Sequence, residues 1–260
     1  DKGNYTEALR LLNKSKEMGY DSGIYLKSSY FSIYYKSGNY DLALGMLNDI
    51  SLDDLSENSL VWWNDQFLYT NVALKNWSDL IIISDKLISQ YKLDPDASGY
   101  SLNLEFLKDN LDFIFNVFDS YTTSLSKIGK YEKAIKLTDK FLKIGKALEN
   151  NLIIETAYIS NGKYKILTRD NLGALQDINE YIKISEDLSI GYKIRGEAKL
   201  NMGDAYSKYA CEDFNLALEI CLKNEDENEQ KGEKSRRENS KREGRKRKEM
   251  VGRGCWRLCR

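Results

Sequence analysis

The sequence predicts an all-α protein built from antiparallel helix hairpins, and three observations carry that prediction. The 260 residues hold a single proline, Pro95, so little in the chain forbids continuous helix. Apolar residues recur at helical spacing along most of its length. Above all, one hairpin is followed by a copy of itself. Tyr158, Gly162, Ala174, Leu175, Asp177 and Ile178 are answered by Tyr192, Gly196, Ala210, Cys211, Asp213 and Phe214. The offset is 34 residues in the first half of the phrase and 36 in the second. Self-similarity at that period belongs to stacking repeats, in which each hairpin buries its apolar face against its neighbours.

Residues 3–18 form the second half of a repeat, with Gly3-Asn4-Tyr5 turning into a helix that carries Ala8, Leu9, Leu11 and Leu12. Its partner helix is absent and the chain opens at Asp1 rather than Met, so the N-terminus is expected to be a cut or processed end. Residues 24–50 make the first full unit. Tyr30, Phe31 and Tyr34 mark its first helix, Gly38-Asn39-Tyr40 its turn, and Ala43, Leu44, Leu47 and Ile50 its second helix. The phrase Gly-Asn-Tyr-x-x-Ala-Leu has thus recurred after 35 residues. The glycine lets the chain reverse without a Cβ penalty, and the Asn or Asp behind it can cap the next helix. The alanine stands where two helices approach most closely.

Residues 61–90 are a degenerate unit, with Asn76-Trp77 at the turn and Leu80 in the small-residue position. Asp94-Pro95-Asp96 and Ser98-Gly99 then interrupt the pattern. From Leu102 the apolar spacing predicts a helix of about 25 residues, about 38 Å long at 1.5 Å per residue. It ends at Gly129-Lys130-Tyr131, and Ala134, Ile135, Leu137 and Phe141 continue into the second helix of a unit covering 102–144. Units 155–184 and 189–222 are the matched pair, with turns at Arg169-Asp170-Asn171 and Gly203-Asp204-Ala205. The repeat domain is therefore 1–222.

The composition changes after Leu222, beyond which there is no Ile, Tyr or Phe. Residues 223–260 hold fourteen Lys/Arg and eight Asp/Glu, which leaves a tail near +6 and a body near −7. Such a charged tract buries too little apolar surface to offset its ordering entropy, so 223–260 is expected to be disordered. Lys241–Lys248 is its most basic run, but no aromatic residues interleave with the charges, which disfavours nucleic acid as a partner.

Composition also bounds the chemistry. There is no histidine, which removes His-based acid–base work, the Ser–His and Cys–His pairs and the commonest metal ligand. The four cysteines, Cys211, Cys221, Cys255 and Cys259, lie late in the chain; they are expected to be free thiols, two of them buried in the last repeat. Asp53/Asp54 and Asp94/Asp96 lack the spacing of a calcium loop and stand as turn and cap residues. No phosphate loop or nucleophile elbow occurs, no run is long and apolar enough to span a membrane, and no cofactor or metal is expected. The chain is expected not to be an enzyme. Its Asn/Ile/Lys/Tyr-rich style points to an AT-rich bacterial genome, and the cytoplasm is the favoured compartment.

The Tyr–x3–Gly phrase followed by Ala–x2–Asp–Ile/Phe resembles the tetratricopeptide repeat family, over about 1–222. The resemblance implies a right-handed superhelical solenoid whose first helices line a concave groove, and a role as a protein–protein interaction scaffold. Groove positions then fall on Tyr25, Ser28, Ser32, Tyr35 and Lys36, and on Trp62, Asp65 and Tyr69. Asn116, Asp119, Thr123 and Lys127 follow, then Thr156, Ile159, Lys163, Lys193, Glu197 and Asn201. They describe a mixed polar and aromatic surface suited to a peptide or protein partner. Members that clamp a C-terminal carboxylate carry Lys and Asn at positions held here by Ser28, Asp65 and Asp119, which disfavours that role. The alternative is a sensor or regulatory segment of a larger signalling or transcription-regulating protein.

Overall fold

The structure, a computed structural model, describes residues 4–20, 23–97 and 103–231. Among the described residues all regular structure is helical. The order is α1 (Tyr5–Glu17), α2 (Ile24–Lys36), α3 (Tyr40–Asn48), α4 (Glu57–Leu74), α5 (Trp77–Gln90), α6 (Leu104–Asp109), α7 (Leu111–Lys127), α8 (Tyr131–Leu148), α9 (Asn151–Leu167), α10 (Asn171–Ile184), α11 (Ser189–Asn201) and α12 (Ser207–Lys231). Single 3-10 turns fall at Leu52–Asp54 and Asp204–Tyr206. The chain divides into two compact units, Asp1–Gly129 and Lys130–Arg260, with α7 closing the first and α8 opening the second.

Within the first unit α1 packs on α2, α2 pairs with α3, α3 meets α4, α4 pairs with α5, and both α4 and α5 meet α7. Within the second, α8, α9, α10, α11 and α12 pack each on the next, and α9 also meets α11. These are hairpins stacked in chain order.

The turns show why so different a set of residues can make the same reversal. Gly38 (φ 81°), Lys75 (φ 61°) and Arg169 (φ 65°) all take the left-handed conformation that ends a helix. The amide of the next residue then bonds back across the last turn, Asn39 to the Tyr34 carbonyl at 2.8 Å, Asn76 to Asn71 at 3.0 Å and Asp170 to Lys165 at 2.8 Å. Asn4 caps α1 by accepting from the Glu7 amide at 3.1 Å, and Asp170 caps α10 by accepting from Gly173 at 2.9 Å. Asn39 and Asn76 differ from that expectation. Their side chains donate to Ser37 Oγ and Asn71 Oδ1 and leave the next helix uncapped.

The small-residue position is buried in every full hairpin: Ala43, Leu80, Ala134, Ala174 and Ala210 have no accessible surface. Ala8, in the half repeat, is only partly covered. The glycines of the phrase also stand at close helix–helix approaches. A Cβ on Gly162 would lie 2.5 Å from Ile178 Cδ1, and one on Gly196 would lie 2.8 Å from Phe214 Cε1. Ile178 and Phe214 are the equivalent residues of the two copies, so one large side chain fills one glycine notch in each.

Two polar devices accompany this packing. Inside each copy a lysine of the first helix reaches the aspartate of the second, Lys165 to Asp177 at 2.6 Å and Lys199 to Asp213 at 2.7 Å. Arg195 adds a two-pronged contact to Asp213, with 2.9 Å from Nε and 2.6 Å from Nη2. Between successive hairpins a second set recurs. Tyr30 Oη donates to Asn13 at 2.6 Å, Tyr121 Oη donates to Asp85, Asn161 donates to Asp139 at 2.6 Å, and Arg195 Nη1 donates to Asn179 at 3.1 Å. Each acceptor stands five residues after the small-residue position of its helix. At the α3–α4 junction the donor position holds Phe67, and Trp63 Nε1 bonds the Leu47 carbonyl at 3.0 Å instead.

Three expectations are corrected. The long helix from Leu102 is divided at Asn110, whose φ of −123° and ψ of 34° break the ladder between α6 and α7. Its side chain donates to the Phe106 carbonyl at 2.9 Å, beside the Asn110 backbone amide at 3.1 Å, and the Phe106 ring stacks on Tyr91 with centroids 5.4 Å apart. Secondly, α12 runs to Lys231, past the end near Leu222 expected for the last helix. Residues 223–231 are rich in Lys, Glu and Gln, which favour helix. Thirdly, Cys221 is exposed, and Cys211 is buried and is not a free thiol. Gly3, Ser98-Gly99, Leu102, Lys241–Lys248, Cys255, Cys259 and all of 232–260 lie outside the described residues. Asp94 does serve as a turn residue, accepting from the Asp96 amide at 3.0 Å.

Relieving the left-handed strain with Lys75→Gly or Arg169→Gly is expected to raise stability by about 1 kcal/mol each in urea unfolding. Gly162→Ala and Gly196→Ala are expected to lower it by about 1–3 kcal/mol through overpacking. That sign is diagnostic, because alanine is otherwise the better helix former by about 1 kcal/mol. Asp213→Ala, which strips the nearly buried carboxylate from Arg195 and Lys199, is expected to cost about 3–5 kcal/mol by the same measurement.

Candidate partner-binding faces

In the first unit the candidate residues lie on α2, α4 and α7. A hydrogen bond joins two of these helices directly: Asn116 Nδ2 of α7 donates to Asp65 Oδ1 of α4 at 2.6 Å. Tyr69 belongs to the same patch. Burial raises its hydroxyl pKa, and the charges of Asp65 and Asp112 push it further, against the hydrogen bond from Asn116. Tyr35 of α2 adds a weak upward push to the same hydroxyl. The candidates Asp65 and Asn116 are thus joined across α4 and α7, with Tyr69 one turn beyond Asp65 on α4.

Asp112 was not among the candidates, yet it faces the same place. It stands four residues before Asn116, one helical turn away, and that spacing is the signal that could have found it. The Asp65 carboxyl is raised above the ordinary range, first by burial and further by Asp112, while the Asn116 amide opposes the shift. Asp119 is exposed at its tip but crowded by protein, and loss of solvation raises its carboxyl as well. No Lys or Arg pairs with Asp65, Asp112 or Asp119 among the described residues.

Other candidates have mixed roles. Trp62 is half-buried and meets Phe31 edge-on at 6.1 Å, so much of its ring belongs to the core around Phe31, Ala43, Leu47 and Ile50. Tyr35 packs on Phe31 at 5.7 Å and on Tyr40 at 5.3 Å. The Ser28 and Ser32 hydroxyls donate to α2 carbonyls, those of Tyr25 and Ser28, both at 2.9 Å. Tyr25 is 78% exposed, and Lys36 and Lys127 are exposed at the last residues of α2 and α7. Thr123 is half-buried.

In the second unit Lys163, Lys193 and Asn201 are exposed, and Thr156, Ile159 and Glu197 are half-buried on α9 and α11. No hydrogen bond or ion pair joins these six among the described residues. Alongside them the two repeat tyrosines each carry a cation over the ring, Lys146 over Tyr158 at 5.6 Å and Arg195 over Tyr192 at 5.0 Å. Among the described residues no group of three or more His, Cys, Asp or Glu is placed to hold a metal ion, and no helix is long and apolar enough to cross a membrane.

No protein-family model matches the sequence, and no curated protein matches it. Solved structures do. The MamA RS-1 ArsTM double mutant aligns with a TM-score of 0.57 at 14% identity, over 78% of this chain and 97% of that one. The C-terminal part of a TPR repeat-containing protein from Cytophaga hutchinsonii aligns with a TM-score of 0.58 at 16% identity, over 85% of this chain and 76% of that one. Stacked helix hairpins, a glycine notch in each copy of the phrase and these likenesses agree: the chain has the tetratricopeptide-repeat fold.

Proposed function

We propose that the protein is a non-enzymatic scaffold that binds a peptide or protein partner across the first helices of its hairpins. The observation that carries this reading is the hydrogen bond from Asn116 of α7 to Asp65 of α4, which joins two first helices, with Tyr69 exposed one turn beyond Asp65 on α4. Their backbones are held by packing that does not depend on a ligand, so little ordering cost falls on the scaffold when a partner docks. Aromatic rings supply contact area at low entropy cost, and the amide and carboxyl groups supply direction.

A displayed library of random peptides, selected on the full chain, tests this. Binding of the selected peptides is expected to weaken at least tenfold in a Tyr35→Ala, Tyr69→Ala variant whose helicity is unchanged. It is expected to persist when the exposed residues Ile82 of α5 and Leu172 of α10, on second helices, are changed to serine. The opposite result, loss with the serine variants and retention with the alanine ones, rejects the reading.

A further inference from the structure

We infer that the α9–α10 pair binds one internal water molecule, held between Asn161 and Asp177 at the place where the α11–α12 pair has the guanidinium of Arg195. This site is independent of the scaffold reading above.

The two copies of the repeat mark the site by where they differ. Asn161 corresponds to Arg195 and Lys165 to Lys199 at an offset of 34 residues, and Asp177 corresponds to Asp213 at 36. Asn161 and Arg195 each reach back to the preceding hairpin with one end. Asn161 Nδ2 donates to Asp139 Oδ1 at 2.6 Å, and Arg195 Nη1 donates to Asn179 Oδ1 at 3.1 Å. Arg195 has more donors to spend: its Nε and Nη2 meet Asp213, in its own hairpin, at 2.9 and 2.6 Å. Asn161 is shorter, and what it has left is an oxygen. That Oδ1 is enclosed, on a side chain with no accessible surface, and no donor reaches it among the described residues. Turning the amide round would not help, because its oxygen would then face the Asp139 carboxylate.

An enclosed acceptor without a donor is costly, and protein interiors meet that need with an ordered water that has several polar partners of its own. The surroundings offer them. A water can donate to Asn161 Oδ1 and to the Asp177 carboxylate while it accepts from Lys165, which stands one turn from Asn161 on α9 and contacts Asp177 Oδ2 at 2.6 Å. The neighbouring residues fix how near the two helices are: a Cβ on Gly162 would lie 2.5 Å from Ile178 Cδ1, so residues 161 and 177 flank a tight crossing with no space for a larger guest. Charge narrows the choice further. The Lys165 ammonium already stands on Asp177 and repels a second cation, and the carboxylates of Asp139 and Asp177 repel an anion. A small neutral donor is what remains, and water is the one at hand.

A crystal structure of the full chain, at a resolution that shows ordered water, tests this. A density peak is expected within hydrogen-bond distance of both Asn161 Oδ1 and an Asp177 carboxylate oxygen. Between Arg195 and Asp213 no peak is expected, because the guanidinium fills that place. In an Asn161→Leu variant, whose side chain has nearly the same shape and no oxygen, the peak should be lost. In solution the same water, being long-lived, is expected to give a nuclear Overhauser contact to the Asn161 carboxamide protons. Three results overturn the inference: Asn161 Oδ1 touching a protonated Asp177 directly with no water between them, a peak that stays in the leucine variant, or no Overhauser contact to the wild-type carboxamide.

Discussion

Two helices that meet at Gly162 leave no room for a methyl group, and the rest of the second unit's architecture depends on that approach. Ile178 occupies the space a side chain would need, as Phe214 does at Gly196. Interiors close-packed to this degree tolerate one arrangement of the two backbones, so the helix pair is fixed in distance and in rotation together. Once the pair is fixed, Lys165 and Lys199 fall opposite Asp177 and Asp213, and the ion pairs follow from the packing rather than causing it. Burial keeps the Asp177 carboxyl raised even with Lys165 beside it, which shows how far desolvation outweighs the pair at that site.

Stacking needs a different kind of specificity, because apolar faces of similar size could slide by a turn without great loss. The donor–acceptor contacts between successive hairpins supply it. Tyrosine, asparagine and arginine serve as donors, asparagine and aspartate as acceptors, and the pairing of places is constant while the chemistry varies. A one-turn slip would separate each pair and bury polar atoms without partners, a penalty of about 1–3 kcal/mol per group. At the one junction where phenylalanine stands in the donor place, an indole N–H reaches a backbone carbonyl and keeps a polar link.

Packing and register together determine what the first helices display. Their inward sides are committed to the core, as the Phe31–Trp62 contact shows, and what remains outward in the first unit is a patch of carboxylates, tyrosines and one bridging asparagine. The patch is joined across helices by the Asn116–Asp65 hydrogen bond, and none of its carboxylates pairs with a Lys or Arg among the described residues. In the second unit the corresponding side chains stand apart and include exposed lysines.

The helical class, the hairpin period and the burial of Ala43, Ala134, Ala174 and Ala210 were legible in the sequence, because steric fit and periodicity are written residue by residue. The turns at Lys75 and Arg169 were also legible by alignment with Gly38, although neither residue type favours the left-handed conformation it adopts. What tertiary structure alone decided is everything that pairs residues far apart in the chain. The break at Asn110 coincides with a side-chain bond to the Phe106 carbonyl and with the stacking of Phe106 on Tyr91, and periodicity registers neither. Asn116 and Asp65 are 51 residues apart, and only the stacking of α4 and α7 brings them to 2.6 Å and places Asp112 beside them. A local pattern fixes which face of a helix is apolar; which polar groups become neighbours depends on how the helices are stacked, and that is settled by packing over distances no local pattern encodes.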